Sequence, residues 1–236
     1  MFAYYYPTYL CMPVYWMQPI YWMKPQSSAQ SMEIPLNLRR KLELGRPADF
    51  SFKKLTHIKA IGLEGARYTR IGGVPERGPE KRFLTKSLWL NNNKLKSTKN
   101  IDELVNEALE YPKELGWLDF SFNYITEIHE SLLQFPNLKI LYFHGNCIND
   151  LNEVFKLRPL KELRSVTFHG NPIANHPRYR NYVVSVLPQI VNLDFTPITQ
   201  TEKQFAMPPE VVRKLKEEKL KVEAAKKKPP EQPANK

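Results

Sequence analysis

An eleven-residue pattern with leucine-type residues at fixed positions and an asparagine at the ninth recurs four times in this chain of 236 residues. The pattern is L-x-x-L-x-L-x-x-N-x-L, and its copies are 85–95 (TKSLWLNNNKL), 115–125 (LGWLDFSFNYI), 138–148 (LKILYFHGNCI) and 163–173 (LRSVTFHGNPI). Their asparagines, Asn93, Asn123, Asn146 and Asn171, are 30, 23 and 25 residues apart. One short copy cannot bury its own apolar face, so the copies must stack on one another.

Each position of the pattern has a physical role. Positions four and six share a parity, so in a short strand their side chains point to one face. They are Leu88 and Leu90, Leu118 and Phe120, Leu141 and Phe143, and Val166 and Phe168. The turn after each strand leaves backbone N–H and C=O groups without strand partners, and an Asn amide can satisfy both. We therefore predict an α/β leucine-rich-repeat solenoid with short parallel strands on the concave face and helices on the convex face.

Both open ends of such a solenoid need a cover. At the N-terminal end we assign this role to residues 49–63, whose apolar residues are Phe50, Phe52, Leu55, Ile58 and Ile61. Residues 65–86 show no clear period and are predicted to form a surface loop. Its basic residues, which are candidates for partner contact, are Arg67, Arg70, Arg77, Lys81 and Arg82.

Helical spacing predicts the convex side at 101–111, with Asn100 as its N-cap, and more briefly at 128–135 and 151–157. Residues 171–194 (NPIANHPRYRNYVVSVLPQIVNLD) resemble the C-terminal cap of the small phosphatase-regulator type of leucine-rich repeat, which implies that they cap the C-terminal end. The residues expected to close the core there are Tyr179, Tyr182, Val183, Val186 and Leu187, with Ile190, Leu193 and Phe195 in a last strand. Position nine of that last copy is Ile198, so the asparagine series ends before it.

The net charge of +11 is concentrated outside the repeats. Residues 87–198 carry 11 basic and 12 acidic residues, residues 24–86 carry 14 and 6, and residues 199–236 carry 10 and 6. Basic arms on a nearly neutral body favour an acidic partner, although solubility alone is an open alternative.

The expected organisation is an arm and linker at 1–48, a cap and basic loop at 49–86, repeats with their cap at 87–198, and a charged tail at 199–236. In the tail, residues 210–228 are predicted to form a helix with a thin apolar stripe, either solvated or lying along a partner.

Residues 1–23 contain no charged residue and are rich in aromatic residues and proline. We expect this arm to lie in an extended path on a surface, either that of a partner or that of the protein's own repeats. Its candidate anchors are Tyr4, Tyr5, Tyr6, Tyr15, Trp16, Tyr21 and Trp22.

A second candidate partner surface is the concave face, where aromatic residues mix with carboxylates. Its residues are Trp89, Trp117, Asp119, Tyr142, His144, Thr167, His169 and Asp194, flanked by Ile140. His144 and His169 share a repeat position and should be neighbours, which raises the question of a metal site. We expect a packed or hydrogen-bonded pair instead, because no third ligand joins the column and Cys147 should turn inward.

Other classes of function find no support in the sequence. We find no catalytic set, no Walker or dinucleotide fingerprint, and no expected cofactor, metal or small-molecule substrate. Cys11 and Cys147 lack metal or redox spacing, which favours a reduced intracellular protein. No apolar run of about 18 residues predicts a membrane span, and Pro7 and Pro13 interrupt a start that lacks the basic residues of a secretory signal.

The segments 87–93 (SLWLNNN), 115–123 (LGWLDFSFN), 141–146 (LYFHGN) and 166–172 (VTFHGNP), with YRNYV at 179–183, resemble the leucine-rich repeat-containing protein 51 family, of the small phosphatase-regulator repeat type. The resemblance spans about 49–198 and implies a non-enzymatic cytoplasmic protein of a class common in motile cilia and flagella. Our first hypothesis is a protein-binding scaffold in the axoneme whose partners lie close to tubulin. The alternatives are a ribonucleoprotein (splicing-type) scaffold, with nucleic acid less expected, and a phosphatase regulator acting through the concave face.

Overall fold

The computed structural model describes residues 34, 46–58, 65–67 and 73–227, which contain one seven-stranded sheet. The strands are β1 (Ala48–Asp49), β2 (Ser87–Trp89), β3 (Trp117–Asp119), β4 (Ile140–Tyr142), β5 (Ser165–Thr167), β6 (Asn192–Leu193) and β7 (Thr196–Pro197). Strands β1 to β6 pair in parallel in the order of the chain, and β7 pairs antiparallel with β6. The predicted fold class, an α/β leucine-rich-repeat solenoid, is confirmed.

The core lies directly beneath this sheet, on the convex side. Position-four residues pair across neighbouring strands and are fully buried, and they are Leu88, Leu118, Leu141, Val166 and Leu193. Position six adds a row of buried rings, in which Phe120 stacks on Phe143 at 5.5 Å and Phe143 on Phe168 at 5.9 Å between ring centroids. The period-two alternation of the strands therefore produces one continuous apolar spine.

The four asparagine side chains form a buried file along one edge of the sheet. Asn146 shows the pattern: its Nδ2 donates to the carbonyl oxygens of Phe120 and Phe143, each at 2.9 Å, and its Oδ1 accepts from the N–H of Ile125 at 2.9 Å. Equivalent bonds are made by Asn93, Asn123 and Asn171. Each amide thus ties its own turn to the preceding repeat.

The convex side is built from short helical segments. Within the described ranges the α-helices are α1 (Ile101–Ala108), α2 (Asn152–Phe155), α3 (Tyr179–Val186), α4 (Gln200–Lys203) and α5 (Pro209–Lys227), and 3-10 turns occupy Pro112–Glu114, Glu130–Gln134 and Pro172–Asn175. The segments predicted at 128–135 and 151–157 contain the second of these turns and α2. No helix in the part of the chain described here has the length and apolar content needed to cross a bilayer.

Two predictions about α1 are wrong. The helix ends at Ala108 and not at residue 111, because the chain becomes extended at Leu109. Phe83 donates its N–H to the Ala108 carbonyl at 2.7 Å and accepts from the N–H of Glu110 at 3.0 Å, which draws the chain out of the helix. Asn100 precedes the helix in a left-handed conformation (φ 67°) and makes no side-chain cap.

The N-terminal end is covered by more than the predicted segment. Phe50 and Ile58 are buried, as expected of a cover, whereas Phe52 is 62% exposed because its left-handed backbone (φ 57°) turns it outward. Ile61 lies outside the described residues. The predicted surface loop also contributes, since Phe83 and its neighbour Leu84 are buried.

The C-terminal end holds one clear error. Tyr179, Tyr182, Val183, Val186 and Leu187 are buried as predicted, and so are Ile190 and Leu193. The predicted last strand with Ile190, Leu193 and Phe195 holds only for Leu193, because β6 spans Asn192–Leu193, and Phe195 is 58% exposed. Asp194 and Phe195 both adopt positive φ values, 53° and 61°, where the chain reverses between β6 and β7. The reversal places the Phe195 ring on the concave side of the sheet.

Candidate functional site: the concave aromatic face

The strand register arranges the outward side chains in columns. Position five carries Asp49, Trp89, Asp119, Tyr142 and Thr167 on five successive strands. Position three carries Ser87, Trp117, Ile140, Ser165 and Asn192. Both positions alternate with the buried position four, so both columns face the concave side.

Seven rings make a continuous surface there, which we call the concave aromatic face. They belong to Trp89, Trp117, Phe122, Tyr142, His144, His169 and Phe195. Ring centroids are 5.2 Å apart for Trp89 and Trp117, 5.9 Å for Trp117 and Tyr142, and 5.3 Å for Tyr142 and Phe195, all edge to face. The Nε1 atoms of both indoles are buried, and neither has a hydrogen-bond partner within the described chain. Packing, and not polar contact, holds these two rings.

The two imidazoles stack as neighbours, as their shared repeat position predicts. Their centroids are 4.7 Å apart at an interplanar angle of 6°, and Phe195 contacts both rings at 5.6 Å. His144 Nδ1 shares a hydrogen bond of 2.9 Å with the Thr167 hydroxyl. Burial, together with the nearby His169, lowers the pKa of His144 to about 4 although Asp194 opposes the shift. The His144 imidazole is therefore neutral at pH 7.

The positions of the two imidazoles and of their described neighbours do not form a metal site. No group of three His, Cys, Asp or Glu side chains in the described ranges is placed to hold an ion. The prediction that Cys147 turns inward is wrong, since its side chain is exposed. Asn146 and Ile148 on either side both turn into the core, which leaves the residue between them facing outward.

Asp119 lies at the centre of the aromatic part of the face. Its Oδ1 accepts the N–H of Ser121 at 2.8 Å. Burial raises the pKa of Asp119 to about 6, helped by the carboxylate of Asp49 and opposed by hydrogen bonds from Ser121. Burial and the Asp119 charge raise the pKa of Tyr142 to about 12, so its phenol stays protonated.

Two predicted contact residues make their contacts within the chain. Thr167 is fully buried. The carboxylate of Asp194 closes the last repeat: Oδ1 accepts the N–H of Phe168 at 2.6 Å and of His169 at 2.9 Å, and Oδ2 accepts the Tyr179 hydroxyl at 2.8 Å. Burial alone raises the pKa of Asp194, but the hydrogen bonds from the His169 ring, Phe168 and Tyr179 bring it below its usual value.

Sequence reasoning missed Phe122 and Phe195, which are 47% and 58% exposed. Phe122 occupies position eight of its repeat with φ 53°, where the other copies place Asn92, Gly145 and Gly170, also at positive φ. An aromatic residue with a left-handed backbone is strained. The presence of Phe where the other copies have Gly or Asn is therefore the sequence signal that could have identified Phe122 as a functional residue. The ring lies over Gly145, since a Cβ added there would meet Phe122 Cδ1 at 2.7 Å.

The remaining predicted contact residues divide into two groups. The aromatic anchors of the arm, Tyr4 to Trp22, and also Arg70, lie outside the described residues. Arg67 donates to the Ser51 carbonyl and lies over the Phe52 ring at 5.0 Å. Arg77 lies over the Phe83 ring at 4.3 Å and donates to the Lys81 carbonyl, while Arg82 pairs with Glu80 at 3.5 Å. The described arginines of the loop thus make contacts within the chain.

The stacked register and the asparagine file define a leucine-rich-repeat protein, a class of protein-interaction scaffold. The family profile described as Leucine-rich repeat matches residues 97–225. Leucine-rich repeat-containing protein 51 of Rattus norvegicus is 41% identical over 167 residues, which covers 68% of this chain and 82% of that protein. The chain belongs to the leucine-rich repeat-containing protein 51 family.

Two further likenesses are narrower. Centrosomal protein of 72 kDa from Mus musculus is 38% identical over 101 residues, covering 42% of this chain and 16% of that protein. Among solved structures, the Drosophila melanogaster SNF/U2A' complex contains a chain with a TM-score of 0.52 and 24% identity, covering 73% of this chain and 88% of that one. At this identity the second likeness shows the fold alone.

Proposed function

We propose that this protein is a structural adaptor of the axoneme of motile cilia or flagella. Its repeat body docks one protein through the concave aromatic face, and its basic and aromatic arms run along neighbouring proteins on the microtubule. The observation that carries the docking role is the unbroken series of seven rings on the concave side of the sheet.

Several features of the face support docking. Aromatic side chains dominate the energetics of protein interfaces, because each buries a large area at little cost in conformational entropy. Phe122 and Phe195 project from the face at 47% and 58% exposure. The exposed part of each ring contributes nothing to folding, whereas a partner that covers it gains the free energy of burying that apolar area.

The distribution of charge supports a microtubule setting. Residues 24–86 carry 14 basic and 6 acidic residues and residues 199–236 carry 10 and 6, while the repeats are close to neutral. Microtubule surfaces are acidic, so basic arms gain long-range attraction to them. The likeness to a relative named as a centrosomal protein supports the same setting.

The test is retention of the tagged chain in axonemes isolated with detergent from cells with motile cilia. We expect the full chain to be retained, and both the deletion of residues 1–31 and the double substitution Trp89→Ala, Tyr142→Ala to be released. Ser165→Ala is the matched control, because this residue lies on the same concave side outside the ring series. Unchanged retention of the deletion variant removes the threading role of the arm.

The same preparation separates the alternatives. A ribonucleoprotein scaffold would co-purify with RNA outside cilia, and its binding would weaken steeply with salt. A phosphatase regulator would bind its enzyme through the concave face even when the arms are absent. If either result is obtained and the tagged chain is absent from axonemes, the axonemal proposal is wrong and the corresponding alternative takes its place.

A further inference from the structure

Asp119 has three aromatic residues as its neighbours on the concave side of the sheet. In the strand register Asp119 pairs with Trp89 on one side and Tyr142 on the other, and Trp117 precedes it by two residues on the same face of β3. The Trp117 ring is inclined by 64° to Trp89 and by 75° to Tyr142. We call these four residues the aromatic–carboxylate cluster. Steeply inclined rings beside one carboxylate place apolar ring faces next to a negative charge.

The cluster carries negative charge without a cation. Asp119 accepts a hydrogen bond from Ser121, but no Lys, Arg or His side chain of the described ranges forms an ion pair with it. The residues at positions three and five of the concave columns include two carboxylates and no basic residue. Burial already disfavours the ionised form of Asp119, as its raised pKa of about 6 shows. A carboxylate that is desolvated and unpaired is costly, and a bound cation would offset that cost.

We propose that the aromatic–carboxylate cluster binds the guanidinium of an arginine presented by an apolar segment of a partner protein. A cation close to the faces of Trp and Tyr rings is attracted by their quadrupoles. A guanidinium can stack flat on one ring while it donates two parallel hydrogen bonds to the carboxylate, which an ammonium cannot do. The inference deepens the docking role proposed above and rests on that role, but not on the axonemal location.

The surroundings of the cluster specify the rest of the segment. Phe195 contacts the Tyr142 ring at 5.3 Å, and beyond it the face continues through the stacked imidazoles to Phe122. His144 is uncharged at neutral pH, and the rings of Phe195 and Phe122 beside it are apolar. Residues that flank the arginine on this side are therefore aliphatic or aromatic, and not charged.

The experiment begins with a displayed library of random twelve-residue peptides selected against the full chain and counter-selected against Asp119→Asn. We expect enrichment of peptides with one arginine next to apolar residues. The best peptide is then synthesised with arginine or with citrulline, its neutral isostere, and both are titrated calorimetrically. We expect the citrulline peptide to bind at least about tenfold more weakly, and Asp119→Asn to weaken the arginine peptide by a similar factor, since a charged hydrogen-bonded contact is lost.

Controls keep each outcome decisive. Asp119→Asn preserves the shape of the side chain, and its thermal unfolding curve shows whether the fold is intact. Ser165→Ala should bind the arginine peptide as the parent does. The inference is overturned if no peptide emerges, if the selected peptides lack arginine or are dominated by lysine, or if arginine and citrulline peptides bind equally. If the full chain is not retained in axonemes but still prefers the arginine peptide to the citrulline peptide, the axonemal location is wrong. The specificity of the aromatic–carboxylate cluster for arginine is then unaffected.

Discussion

At the scale of single residues, the fold depends on side chains that replace missing backbone partners. Asn146 accepts the N–H of Ile125 and donates to two carbonyl oxygens that it shares with the neighbouring asparagines, and it is 5% exposed. A buried polar group left without a partner costs about 1–3 kcal/mol. The asparagine file is therefore worth more to stability than its small apolar area suggests.

Replacing Asn146 by Ala should lower the free energy of unfolding by about 1–3 kcal/mol, because the N–H of Ile125 loses its acceptor. The carbonyl oxygens of Phe120 and Phe143 each lose one of two amide donors, since Asn123 and Asn171 still donate to them. The matched control is Asn149→Ala, three residues further on at an exposed position, which should change stability by no more than about 0.5 kcal/mol. Urea unfolding followed by circular dichroism measures both variants. Equal effects of the two substitutions would contradict the role given to the file.

Two carboxylates should affect stability with opposite dependence on pH. The folded-state pKa of Asp119 is raised by burial from 3.8 to about 6, so folding binds a proton and stability falls as pH rises across that interval. The pKa of Asp194 lies below 3.8, because hydrogen bonds from His169, Phe168 and Tyr179 outweigh its burial. Its contribution is fully present above that value and is lost as pH falls through the folded pKa.

Asp119→Asn should therefore gain stability relative to the parent as pH rises from about 4 to 6, by roughly 1–2 kcal/mol after solvent screening. Asp194→Asn should be less stable than the parent at pH 7, with a deficit that narrows below pH 4. His144, whose pKa is lowered to about 4, opposes the Asp119 trend in the parent, so the readout is the difference between variant and parent at each pH. Urea midpoints from pH 3 to 7 measure it, and parallel curves would refute both assignments.

Phe122 combines strain with exposure. Its left-handed backbone is of the kind that costs on the order of 1 kcal/mol or more in a bulky residue, and its ring contact with His144 at 5.1 Å returns only part of that. Phe122→Gly should leave the free energy of unfolding within about 1 kcal/mol of the parent while weakening docking on the concave side. Retention in axonemes and urea unfolding of the same variant measure both effects. A large loss of stability would show that the ring serves the fold instead.

At the scale of elements, the repeat pattern of the sequence predicts the strands and the core residues. It does not predict the segments that connect the repeats. The strands, their register and the buried leucines follow from a period that Asn93 to Asn171 make visible. Phe195 could not be placed in this way, because its position depends on a chain reversal between β6 and β7 that no periodic signal predicts. The end of α1 depends likewise on the bridge from Phe83 to Leu109, a pairing between residues far apart in sequence.

The residues of the concave aromatic face likewise fall into those that the repeat pattern predicts and those that it does not. The columns with Trp89, Asp119 and Tyr142 follow from strand parity, which any repeat alignment provides. Burial of Thr167 and the hydrogen bonds of Asp194 depend on how the C-terminal cap folds back over the last repeat. Pattern reasoning therefore finds the centre of the face and fails at its edge.

The first turns of α5 pack on the repeat body. The thin apolar stripe of 210–228 does not show whether this helix is solvated or lies on another surface. Val211 is fully buried, and Arg158 pairs with Glu218 at 3.4 Å. Val211→Ala should lower the free energy of unfolding by about 2 kcal/mol, since it removes buried methyl groups and leaves a cavity. Its neighbour Val212 is 36% exposed, so Val212→Ala should cost less than about 0.5 kcal/mol. Thermal and urea unfolding of the pair decide the matter, and equal losses would place the helix away from the body.

At the scale of the whole molecule, fold and charge occupy different parts of the chain. The repeats hold 11 basic and 12 acidic residues, so docking through their rings should depend little on salt. The segments on either side carry the excess positive charge, and attraction to an acidic surface should depend strongly on it. One protein can in this way combine a specific contact with a long-range, less specific one.

Taken with the axonemal role proposed above, this division of charge predicts which lysines would contribute to binding of microtubules. Charge reversal of Lys226, Lys227 and Lys228 to Glu in the tail should weaken co-sedimentation with stabilised microtubules by tenfold or more, because three attractive charges become repulsive in one segment. Reversal of Lys94, Lys96 and Lys99, all exposed on the repeat body, changes the net charge by the same amount and should weaken it far less. Raising the salt concentration from 50 to 200 mM should diminish the difference between the two triple variants, since screening removes the attraction that the tail supplies. If both triple variants lose affinity alike, net charge alone governs the encounter, and the arms have no separate role in gripping the microtubule.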